Sequence, residues 1–528
     1  MNEVRISKGT RIESDGHYGT VKFVGEVPPT SGIWVGVEWD DPSRGKHDGC
    51  YEGVRYFSTE HPTAGSFLRQ KKCNFGMSFM MALMQRYGRI EDEKELTQPD
   101  EMYVMGGNTR TQVEWVGAGK INLKQSQFQE LSDISLRGLY VNGAGDEGDI
   151  AKNTPNVKQL NLSNSLISSW LEVARITRQM QLLQELDVSS NRLELPKNGE
   201  LDTEGAFASV KTLYANHMNY NWNQVVTFLT MFQQVQTLLV CYNCISSLEN
   251  CPVFLEHLVL VNLEGNPIQK WENVLNLSEL KHLETLILNR TELGEISFPD
   301  GALTTRYFQK LASLWISNNR ISEWSSINEL NKLSSLTELR FLNNPLVATA
   351  GSSTAARQMI IAKLAKIRML NSMDVTSGER RGAEIDYIKM HGLDWKSAGG
   401  SEDLTSKLSD AFVEAHPRYL ELIKKYGAAE DSEMKKAESS ALKNSLITVK
   451  IKGPMLGDSP PLHKKLLLTM TVQKLKALVQ RMFRIQDQAN LKLTYLSKVI
   501  GPEIELNNNL RDLAFYSVED GDTICVHW

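Results

Sequence analysis

Polar side chains that can bind the end of a peptide lie in one glycine-bracketed turn, Gly45-Lys46-His47-Asp48-Gly49. Glycine adopts backbone conformations that other residues rarely adopt, Lys46 supplies a point charge, and His47 supplies a ring donor. Aromatic residues near the turn can wall a shallow apolar groove, and they are Phe23, Trp34, Trp39, Tyr56 and Phe57. The pattern predicts a site that binds an acidic chain end with an aromatic or apolar tip, and it does not indicate catalysis.

The turn is one of five motifs that follow each other between residues 5 and 74. The other four read GTVKFVG from Gly19, GIWVGVE from Gly32, GVRYF from Gly53 and GSFLR from Gly65. Their order and spacing resemble a CAP-Gly domain. CAP-Gly domains are small β modules that bind C-terminal Glu-Glu-Tyr or Glu-Glu-Phe tails, including that of α-tubulin, so the resemblance implies a small β barrel with a tail-binding groove.

The resemblance also implies roles for individual residues. Lys46 would meet a tail carboxylate, His47 would hydrogen-bond the tail, and aromatic rings would pack against its tip. The residues implied in tail binding are Phe23, Trp34, Trp39, Lys46, His47, Asp48, Gly49, Phe57 and Arg69. The family usually has Asn where this chain has His47. Since histidine differs from Asn in shape and can titrate, the affinity and pH dependence of the groove depend on this position.

Composition restricts the class of protein. The chain has 528 residues, of which 41% are hydrophobic and 23% are charged, which is typical of a globular protein with three or four domains. A net charge of −5 argues against a general nucleic-acid binder. The six cysteines are scattered, no signal peptide is apparent, and the longest apolar run, Met77–Met84, is too short to span a bilayer. We therefore expect a cytoplasmic protein that does not bind membranes.

The middle of the chain repeats the pattern apolar-x-x-apolar-x-apolar-x-x-Asn-x-apolar. Clear copies begin at Leu183, Val235, Leu258, Leu311 and Leu336, and weaker copies begin at Leu131, Val157, Val210 and Leu283. The starts lie 23 to 28 residues apart, which is the spacing of leucine-rich repeats. Each copy predicts a short strand with its leucines on one face. The Asn that follows is expected to hydrogen-bond backbone groups where the chain turns away from that strand. The stacked copies predict an α/β leucine-rich-repeat solenoid over residues 126–394.

Strand positions between the leucines would point to the concave face of the solenoid, a surface that suits protein binding. These positions include Glu185, Asp187, Tyr214, Glu256, Trp315 and Arg340. We take Tyr214, Trp315 and Arg340 as the candidates for contacting a large partner. The alternative for each of them is a solvated strand face without a partner.

The ends of a solenoid need caps, because an open end exposes its leucine core. After the last repeat, apolar residues at helical spacing lead into Glu379–Ile388, which resembles the C-terminal cap of cytosolic leucine-rich-repeat proteins. Residues 77–125 are expected to form a connector and then an N-terminal cap around Val113–Val116. Residues 395–442 are rich in Ser, Gly, Ala and charge, and we expect an exposed linker with one short helix near Leu420–Ile423.

Residues 443–528 predict a second small domain. Strands are expected at Leu446–Ile451, Lys464–Met470, Leu491–Leu496, Glu503–Leu506 and Ile524–Val526, with a helix between Val472 and Phe483. The order β-β-α-β-β-β, with an Asp-Gly-Asp turn before the last strand, resembles ubiquitin. This resemblance implies a β-grasp (α+β) domain that acts as a docking surface, and a purely stabilising role is the alternative.

Two motifs resemble ligand-binding sites, but the sequence around each of them lacks what such a site requires. Gly143–Gly148 matches G-x-G-x-x-G, but a dinucleotide site requires a helix that opens at the last glycine inside a βαβ unit, so a loop between repeats is the preferred interpretation. Cys241 and Cys244 form a single C-x-x-C, with Cys251 nearby, and a zinc site would need further ligands at suitable spacing. We therefore expect no metal, no cofactor and no enzymatic activity.

The domains follow in the order CAP-Gly (1–76), connector and cap (77–125), solenoid (126–394), linker (395–442) and ubiquitin-like domain (443–528). This order resembles the tubulin-binding cofactor E family over nearly the full chain. The resemblance implies that the protein captures α-tubulin and that it acts with other tubulin-folding cofactors to assemble or dissociate the αβ-tubulin heterodimer. It also implies association with the cytoskeleton.

Two alternatives stay open at this point. The chain can be a microtubule-associated scaffold that decorates the polymer and has no chaperone role. It can also be a ubiquitin-pathway adaptor whose C-terminal domain carries tubulin to the proteasome.

Overall fold

The computed structural model of the protein describes residues 6–88, 103–106, 109–112, 127–196, 205–249, 252–301, 303–401, 407–434, 446–453, 461–468, 470–483, 491–497, 503–516 and 518–527. The chain divides into two compact units. The first comprises Met1–Leu346, Ile360–Arg381 and Glu414–Pro417, and the second comprises Val347–Met359, Gly382–Val413 and Arg418–Trp528.

The N-terminal domain consists of short antiparallel strands: β1 (Arg11–Ser14), β2 (His17–Val27), β3 (Thr30–Trp39), β4 (Cys50–Tyr51), β5 (Val54–Arg55) and β6 (Gly65–Arg69). A four-stranded sheet has the order β1-β2-β3-β6, and β4 pairs with β5. Side chains alternate along β3, so Trp34 and Gly36 lie on the face opposite to the core. The core consists of Ile12, Val21, Val35, Val37 and Trp39. The predicted small β fold is confirmed.

Residues 77–88 attach the N-terminal domain to the solenoid. The strand Met77–Ser78 pairs in parallel with Val141–Gly143, which follows the first repeat strand. The helix Phe79–Tyr87 follows, with Ser78 as its N-cap, and packs against Val141–Gly143. Its apolar face is fully buried at Phe79, Ala82 and Leu83. We predicted a connector here, but this part of it packs as the N-terminal end of the solenoid.

The remainder of the predicted connector is only partly described. A hairpin pairs Tyr103–Gly106 with Thr109–Gln112. The cap that we predicted around Val113–Val116 lies outside the described residues.

The solenoid sheet has eleven strands: Asp133–Ser135, Gln159–Asn161, Glu185–Asp187, Thr212–Tyr214, Thr237–Leu239, Leu260–Asn262, Thr285–Ile287, Ser313–Trp315, Glu338–Arg340, Met369–Leu370 and Met373–Asp374. Successive strands pair in parallel and in register, except for the last strand, which turns back antiparallel. The middle residue of each of the first nine strands is buried. All nine predicted repeats are therefore confirmed.

The repeat asparagines hold the turns as predicted. The Asn191 side-chain oxygen accepts from the Ser165 amide at 2.8 Å, and its nitrogen donates to the carbonyl oxygens of Leu162 and Val188 at 2.9 Å. Each asparagine thus satisfies backbone groups of its own repeat and the preceding one. The same role is played by Asn243, Asn266, Asn319 and Asn344.

Helices form the other side of the repeats: Asp149–Asn153, Trp170–Thr177, Trp222–Leu229, Trp271–Leu275 and Trp324–Leu330. Four of the five begin with tryptophan, and Trp170 and Trp271 are fully buried. The helices Pro345–Thr349 and Ser353–Lys363 follow the ninth repeat. No helix in the described part of the chain is long and apolar enough to cross a bilayer.

The predicted exposed linker is wrong for much of its length. The helix Ser377–Met390 is followed by Gly392–Ser397, Asp410–Ala415 and Tyr419–Tyr426. Phe412, Tyr419, Leu422 and Ile423 are all buried. The high content of charge and small residues concealed this pattern, because the apolar positions are few and widely spaced.

A buried carboxylate anchors these helices. Glu384 is 1% exposed and accepts hydrogen bonds from Arg418 at 3.1 Å, Lys425 at 2.8 Å and Tyr426 at 2.7 Å. Burial alone would raise the pKa of the Glu384 carboxyl, but the Lys425 and Tyr426 hydrogen bonds and the Arg418 charge lower it below its ordinary value. The segment after the solenoid is therefore held by a charged network that sequence periodicity does not reveal.

The C-terminal domain has the predicted β-grasp topology. Its strands are Leu446–Lys452, Leu462–Leu467, Lys492–Leu496, Ile504–Glu505 and Thr523–His527, and its helix is Val472–Phe483. The first strand pairs antiparallel with the second and parallel with the last. The helix covers one sheet face, where the core includes Val449, Ile451, Leu475, Val479, Leu493 and Ile524.

Candidate peptide-binding groove and solenoid face

Glycines bring the polar turn into direct contact with β6. A Cβ atom on Gly49 would lie 2.2 Å from the Phe57 carbonyl oxygen, and one on Gly65 would lie 2.4 Å from the His47 carbonyl oxygen. Gly49 also has a φ of +95°, a backbone angle that residues with a side chain rarely adopt. The Lys46 amide donates to the Gly65 carbonyl oxygen at 2.8 Å. The glycines therefore permit the turn to pair with the sheet.

His47 closes the turn through its own ring. The His47 Nδ1 atom accepts a hydrogen bond from the Gly49 amide at 3.0 Å, so the neutral ring carries its proton on Nε2. Burial lowers the pKa of the imidazole below its ordinary value, and the Asp48 carboxylate partly opposes this shift. The ring thus supplies the acceptor that an Asn oxygen supplies in an Asx turn, and its Nε2–H stays available as a donor.

Asp48 supports the turn and is not an open ligand. Its carboxylate accepts from the Arg55 guanidinium at 2.8 Å and from the Cys50 amide at 3.2 Å. The Arg55 hydrogen bond lowers the pKa of Asp48 below its ordinary value, with a further contribution from Cys50. Arg55 also donates to the Asp48 carbonyl oxygen at 3.2 Å. Asp48 therefore positions the turn, while Arg55 neutralises its charge.

Lys46 supplies the open cation of the site. It is exposed, whereas Arg55 is occupied by Asp48. In the described part of the chain, no carboxylate lies within 4 Å of the Lys46 ammonium group. A cation that is held by its backbone next to an aromatic surface can meet an incoming carboxylate without first breaking an internal ion pair.

Phe67 is the centre of the aromatic surface. Its ring centroid lies 5.1 Å from that of His47, 5.4 Å from Phe57, 5.5 Å from Tyr56 and 6.2 Å from Phe23. The Phe23, Tyr56 and Phe57 rings meet Phe67 edge-to-face, and the His47 ring is tilted by 33°. The rings form a continuous apolar patch beside the polar turn, which we call the aromatic groove.

Phe67 is a site residue that we did not predict from the sequence. Strand alternation places Phe67 on the same face as Arg69, which we had selected, so the motif GSFLR carried the signal. On that face Gly36 lies between Phe23 and Phe67 on the neighbouring strands. A Cβ atom on Gly36 would lie 2.5 Å from the Phe57 ring, so the glycine makes room for Phe57.

Trp34 and Arg69 form a second row on the same face. They are directly opposed on β3 and β6, and the Arg69 guanidinium lies 3.8 Å from the Trp34 ring centroid. The Trp34 indole nitrogen donates to the Thr30 hydroxyl at 2.8 Å. The pair extends the groove face away from the turn and adds a second cation, whose stacking contributes about 0.5–1 kcal/mol.

Trp39 does not wall the groove, contrary to our prediction. It is 2% exposed, lies in the core with Val35 and Val37, and donates from its indole nitrogen to the Ser66 hydroxyl at 3.0 Å. Its parity along β3 differs from that of Trp34, so the two rings enter opposite faces of the sheet. The expectation failed because an aromatic-rich segment does not by itself indicate which face each ring occupies.

The first repeats of the solenoid carry an acidic surface. A cavity of about 330 Å³ lies over their strands, lined by Tyr87, Asp133, Glu185, Asp187 and Tyr214 among others. Burial raises the pKa of the Tyr214 hydroxyl, with contributions from the Glu185 and Asp187 charges. Tyr214 therefore lies on the strand face as predicted, next to two of the other positions we selected.

A second cluster on this face surrounds Trp315. The Arg340 guanidinium lies 3.5 Å from the Trp315 ring centroid and donates to Glu338 at 3.3 Å. Ser313 accepts from the Trp315 indole nitrogen at 2.9 Å and donates to Glu338 at 3.0 Å. These contacts fix the indole on the strand face. Glu256, which we also predicted on this strand face, lies before the strand Leu260–Asn262 and not within it.

The glycine-rich motif Gly143–Gly148 does open a helix, which we had not expected. The helix Asp149–Asn153 has five residues, and the Gln179 side-chain oxygen accepts from the amides of Gly148, Ile150 and Ala151 at 3.1–3.4 Å. The donors that would bind a phosphate are therefore already satisfied. The structure agrees with a loop between repeats.

The cysteine pair has different environments. Cys241 is buried and burial raises the pKa of its thiol to about 12, while Cys244 is exposed and contacts the Asn219 side chain at 3.0 Å. Cys251 lies outside the described residues. Within the described ranges, no three His, Cys, Asp or Glu side chains are grouped so that they can hold a metal ion.

Comparison with known proteins agrees with this architecture. The CAP-Gly domain family matches residues 8–73, and a leucine-rich repeat family matches residues 216–394. Tubulin-specific chaperone E of Xenopus laevis is 42% identical over 522 residues, and that of Homo sapiens is 40% identical over 524 residues, each alignment covering 98% of both chains. Tubulin-folding cofactor E of Arabidopsis thaliana is 33% identical over 487 residues, covering 89% of this chain and 87% of the relative. The chain therefore belongs to the tubulin-specific chaperone E family.

Proposed function

We propose that this protein is a tubulin-folding cofactor that captures α-tubulin at two contacts. The observation that carries the proposal is the position of exposed Lys46 on the turn that His47 packs against Phe67. A cation beside an aromatic groove suits an acidic tail that ends in an aromatic residue. The names of the full-length relatives, tubulin-specific chaperone E and tubulin-folding cofactor E, support tubulin as the client.

The first contact is the tail. Lys46 meets a tail carboxylate, the Nε2–H of His47 donates a hydrogen bond, and the terminal ring packs against Phe67 and Phe57. A charge-assisted hydrogen bond contributes about 1.5–3 kcal/mol, so this contact depends strongly on Lys46. Asp48 and Gly49 act through the shape of the turn.

The second contact is the folded body of the client on the solenoid strand face. Tyr214 and Trp315 are large, half-buried aromatic side chains of the kind that often dominate protein interfaces. The pairing of Met77–Ser78 with Val141–Gly143 connects the groove to the solenoid by backbone hydrogen bonds. Two linked contacts increase the effective concentration of the second, so neither has to be tight alone.

In this proposal, the protein binds tubulin transiently and passes it to other proteins. The protein acts with other tubulin-folding cofactors in assembling or dissociating the αβ-tubulin heterodimer. It works in the cytoplasm, associated with the cytoskeleton through its client. It performs this role by binding, without a chemical step of its own.

A pull-down with purified αβ-tubulin tests the proposal. The full chain should retain αβ-tubulin, and it should retain less when the terminal tyrosine of the α-tubulin tail has been removed. Failure to retain either form would contradict the proposed function. Equal retention of both forms would contradict the role of the groove.

Two further measurements separate the alternatives. A microtubule scaffold would sediment with the polymer, whereas the proposed cofactor stays with soluble tubulin or depolymerises the lattice. A proteasome adaptor would lose proteasome association when residues 443–528 are deleted and would keep peptide binding. The β-grasp domain makes the second comparison worthwhile, because its five-stranded sheet is separate from the solenoid sheet.

A further inference from the structure

We propose that the open face of the C-terminal sheet binds an acidic, extended polypeptide segment. This face is the side of the sheet opposite to the helix Val472–Phe483. Its lysines are Lys450, Lys452, Lys465 and Lys492, and we call the surface the lysine face. The inference goes beyond the proposed function, because it needs neither the aromatic groove nor the solenoid.

Strand register places these lysines on one side. Ile451 and Ile524 are opposed and buried beneath the helix, so their neighbours Lys450 and Lys452 point to the other face. Lys450 is opposite His463, and Lys492 is opposite His527. Lys465 is opposite Thr448, which has the same parity as Lys450. Three strands therefore contribute lysines to one surface.

The positive charge of this surface is not cancelled locally. Lys452, Lys465 and Lys492 are exposed, and Lys450 is half-buried. Among the residues that the structure describes, none of the four has a carboxylate oxygen within 4 Å. The acidic groups next to this face contact other residues: Glu503 lies 3.3 Å from His527, and the Asp520 carboxylate accepts from the Thr448 amide at 2.6 Å. Glu505 stands opposite Thr494 on the edge strand. The face thus has a positive region in a chain whose net charge is −5.

The composition of the face favours a charged partner over an apolar one. The side chains between the lysines are Thr448, Thr494, Thr523 and Cys525. Its apolar residues, Leu446, Leu467 and Leu496, stand at strand ends, and Leu446 and Leu496 are about two-fifths exposed. A surface without an apolar centre gains little from the hydrophobic effect. Hydroxyls and ammonium groups instead supply donors for carboxylates.

The geometry fits an extended peptide. Lys450 and Lys452 are two residues apart on one strand, a spacing of about 6.6 Å, which equals the spacing of every second side chain in an extended chain. Successive carboxylates of an acidic segment can therefore match successive lysines. A nucleic-acid site would gain from aromatic rings on which bases stack, and the rings among the side chains named on the lysine face are the imidazoles of His463 and His527. A membrane-binding surface would have apolar side chains at its centre, whereas the centre of the lysine face has threonines.

A fluorescent deca-glutamate peptide with an amidated end tests the inference on the full chain. Amidation removes the terminal carboxylate, and the peptide has no aromatic tip for the aromatic groove. The test variant is Lys450→Glu with Lys452→Glu. The matched control is Lys474→Glu with Lys476→Glu, which makes the same charge change on the helix.

We expect the test variant to weaken peptide binding at least about tenfold and the control to weaken it less than about twofold, because screened charges act mainly over about 10 Å. Wild-type binding should also fall steeply as salt rises. Equal weakening by both variants would overturn the inference, and so would a wild-type chain that does not bind the peptide.

Two comparisons exclude other sources of binding. Lys46→Ala should leave this peptide's affinity unchanged, and a loss would assign the binding to the aromatic groove instead. A single-stranded deoxythymidine decamer or phosphatidylserine vesicles should bind less tightly than the peptide. Tighter binding of either through Lys450 and Lys452 would replace the acidic peptide as the occupant. A negative result with the deca-glutamate peptide would not change the outcome of the tubulin pull-down. The two experiments therefore test the lysine face and the proposed function separately.

Discussion

The Nδ1 atom of His47 accepts the Gly49 amide hydrogen bond that closes the turn presenting Lys46. An Asn at this position would supply a neutral oxygen acceptor at any pH. A protonated histidine has no acceptor at Nδ1. The chain therefore couples the shape of its groove to a titrating group.

Tail binding should weaken on acidification. The pKa of His47 is lowered in the folded protein relative to its ordinary value of 6.5, so the unfolded state binds the proton more readily. The contribution of the neutral ring to stability is complete above about pH 6.5 and is lost as the pH falls through the lower folded pKa. Fluorescence anisotropy of a peptide ending in Glu-Glu-Tyr should show this loss as the pH is lowered from about 6.5.

The control for this prediction is His47→Asn, which keeps an acceptor for the Gly49 amide. Its affinity should change much less over the same pH range. An equal pH dependence in the two proteins would assign the effect to the carboxylates of the peptide and not to His47.

Phe67→Ala should impair tail binding more than it impairs folding. Phe67 lies on the groove face, while the domain core of Ile12, Val21 and Val37 is on the other side of the sheet. Loss of a central aromatic residue in an interface typically costs at least about 2 kcal/mol, or about thirtyfold in affinity. Peptide titration measures the affinity, and circular dichroism measures the fold. Unchanged affinity would remove Phe67 from the site.

Glu384→Gln should destabilise the segment that follows the solenoid. The change leaves Arg418 buried beside a neutral group, and breaking a buried ion pair costs about 3–5 kcal/mol. The lowered pKa of Glu384 predicts that acid removes the same stabilisation, which is complete above about pH 4.5 and is lost as the pH falls through the lower pKa of the folded state. Calorimetry and limited proteolysis of the full chain provide the measurements.

Glu421→Gln is the matched control, since Glu421 also contacts Arg418, at 3.0 Å, but its side chain is 58% exposed. Exposed pairs contribute about 0–1 kcal/mol. A loss of stability equal to that of Glu384→Gln would mean that burial of the carboxylate does not determine its importance.

Trp315→Ala should reduce binding of tubulin from which the acidic tails have been removed. The indole is held on the strand face by Arg340 and Ser313, so it is ordered before binding. We expect a loss of about tenfold or more for a central contact. Glu295→Ala, exposed and outside the strands, should have no effect. Equal binding by both variants would place the body contact elsewhere.

Periodicity predicted the solenoid well because each repeat buries the same positions. The alternation around Leu186 and the Asn191 hydrogen bonds follow from short-range pattern alone. The same reasoning failed for Trp39, because the sequence around it offered two aromatic faces and gave no sign of which one faces the core. Phe67 was missed for a related reason: its importance comes from rings on other strands and turns that converge on it.

Sequence reasoning also failed where charge organises the fold. The helix Tyr419–Tyr426 buries Leu422 and Ile423, but the Arg418–Glu384 pair that holds it joins residues 34 positions apart. A periodic pattern cannot reveal such a pair. The region was therefore assigned to a linker from its composition.

The most direct test of the two-contact account is a thermodynamic cycle. Full-length wild type and Lys46→Ala are each titrated with αβ-tubulin that has or lacks the terminal Glu-Glu-Tyr of the α-tubulin tail. The account predicts that wild type loses about tenfold in affinity when the tail end is removed. Lys46→Ala should lose less than about twofold, because the partner of the tail is already gone. A full tenfold loss in both proteins would contradict the assignment of the tail to Lys46.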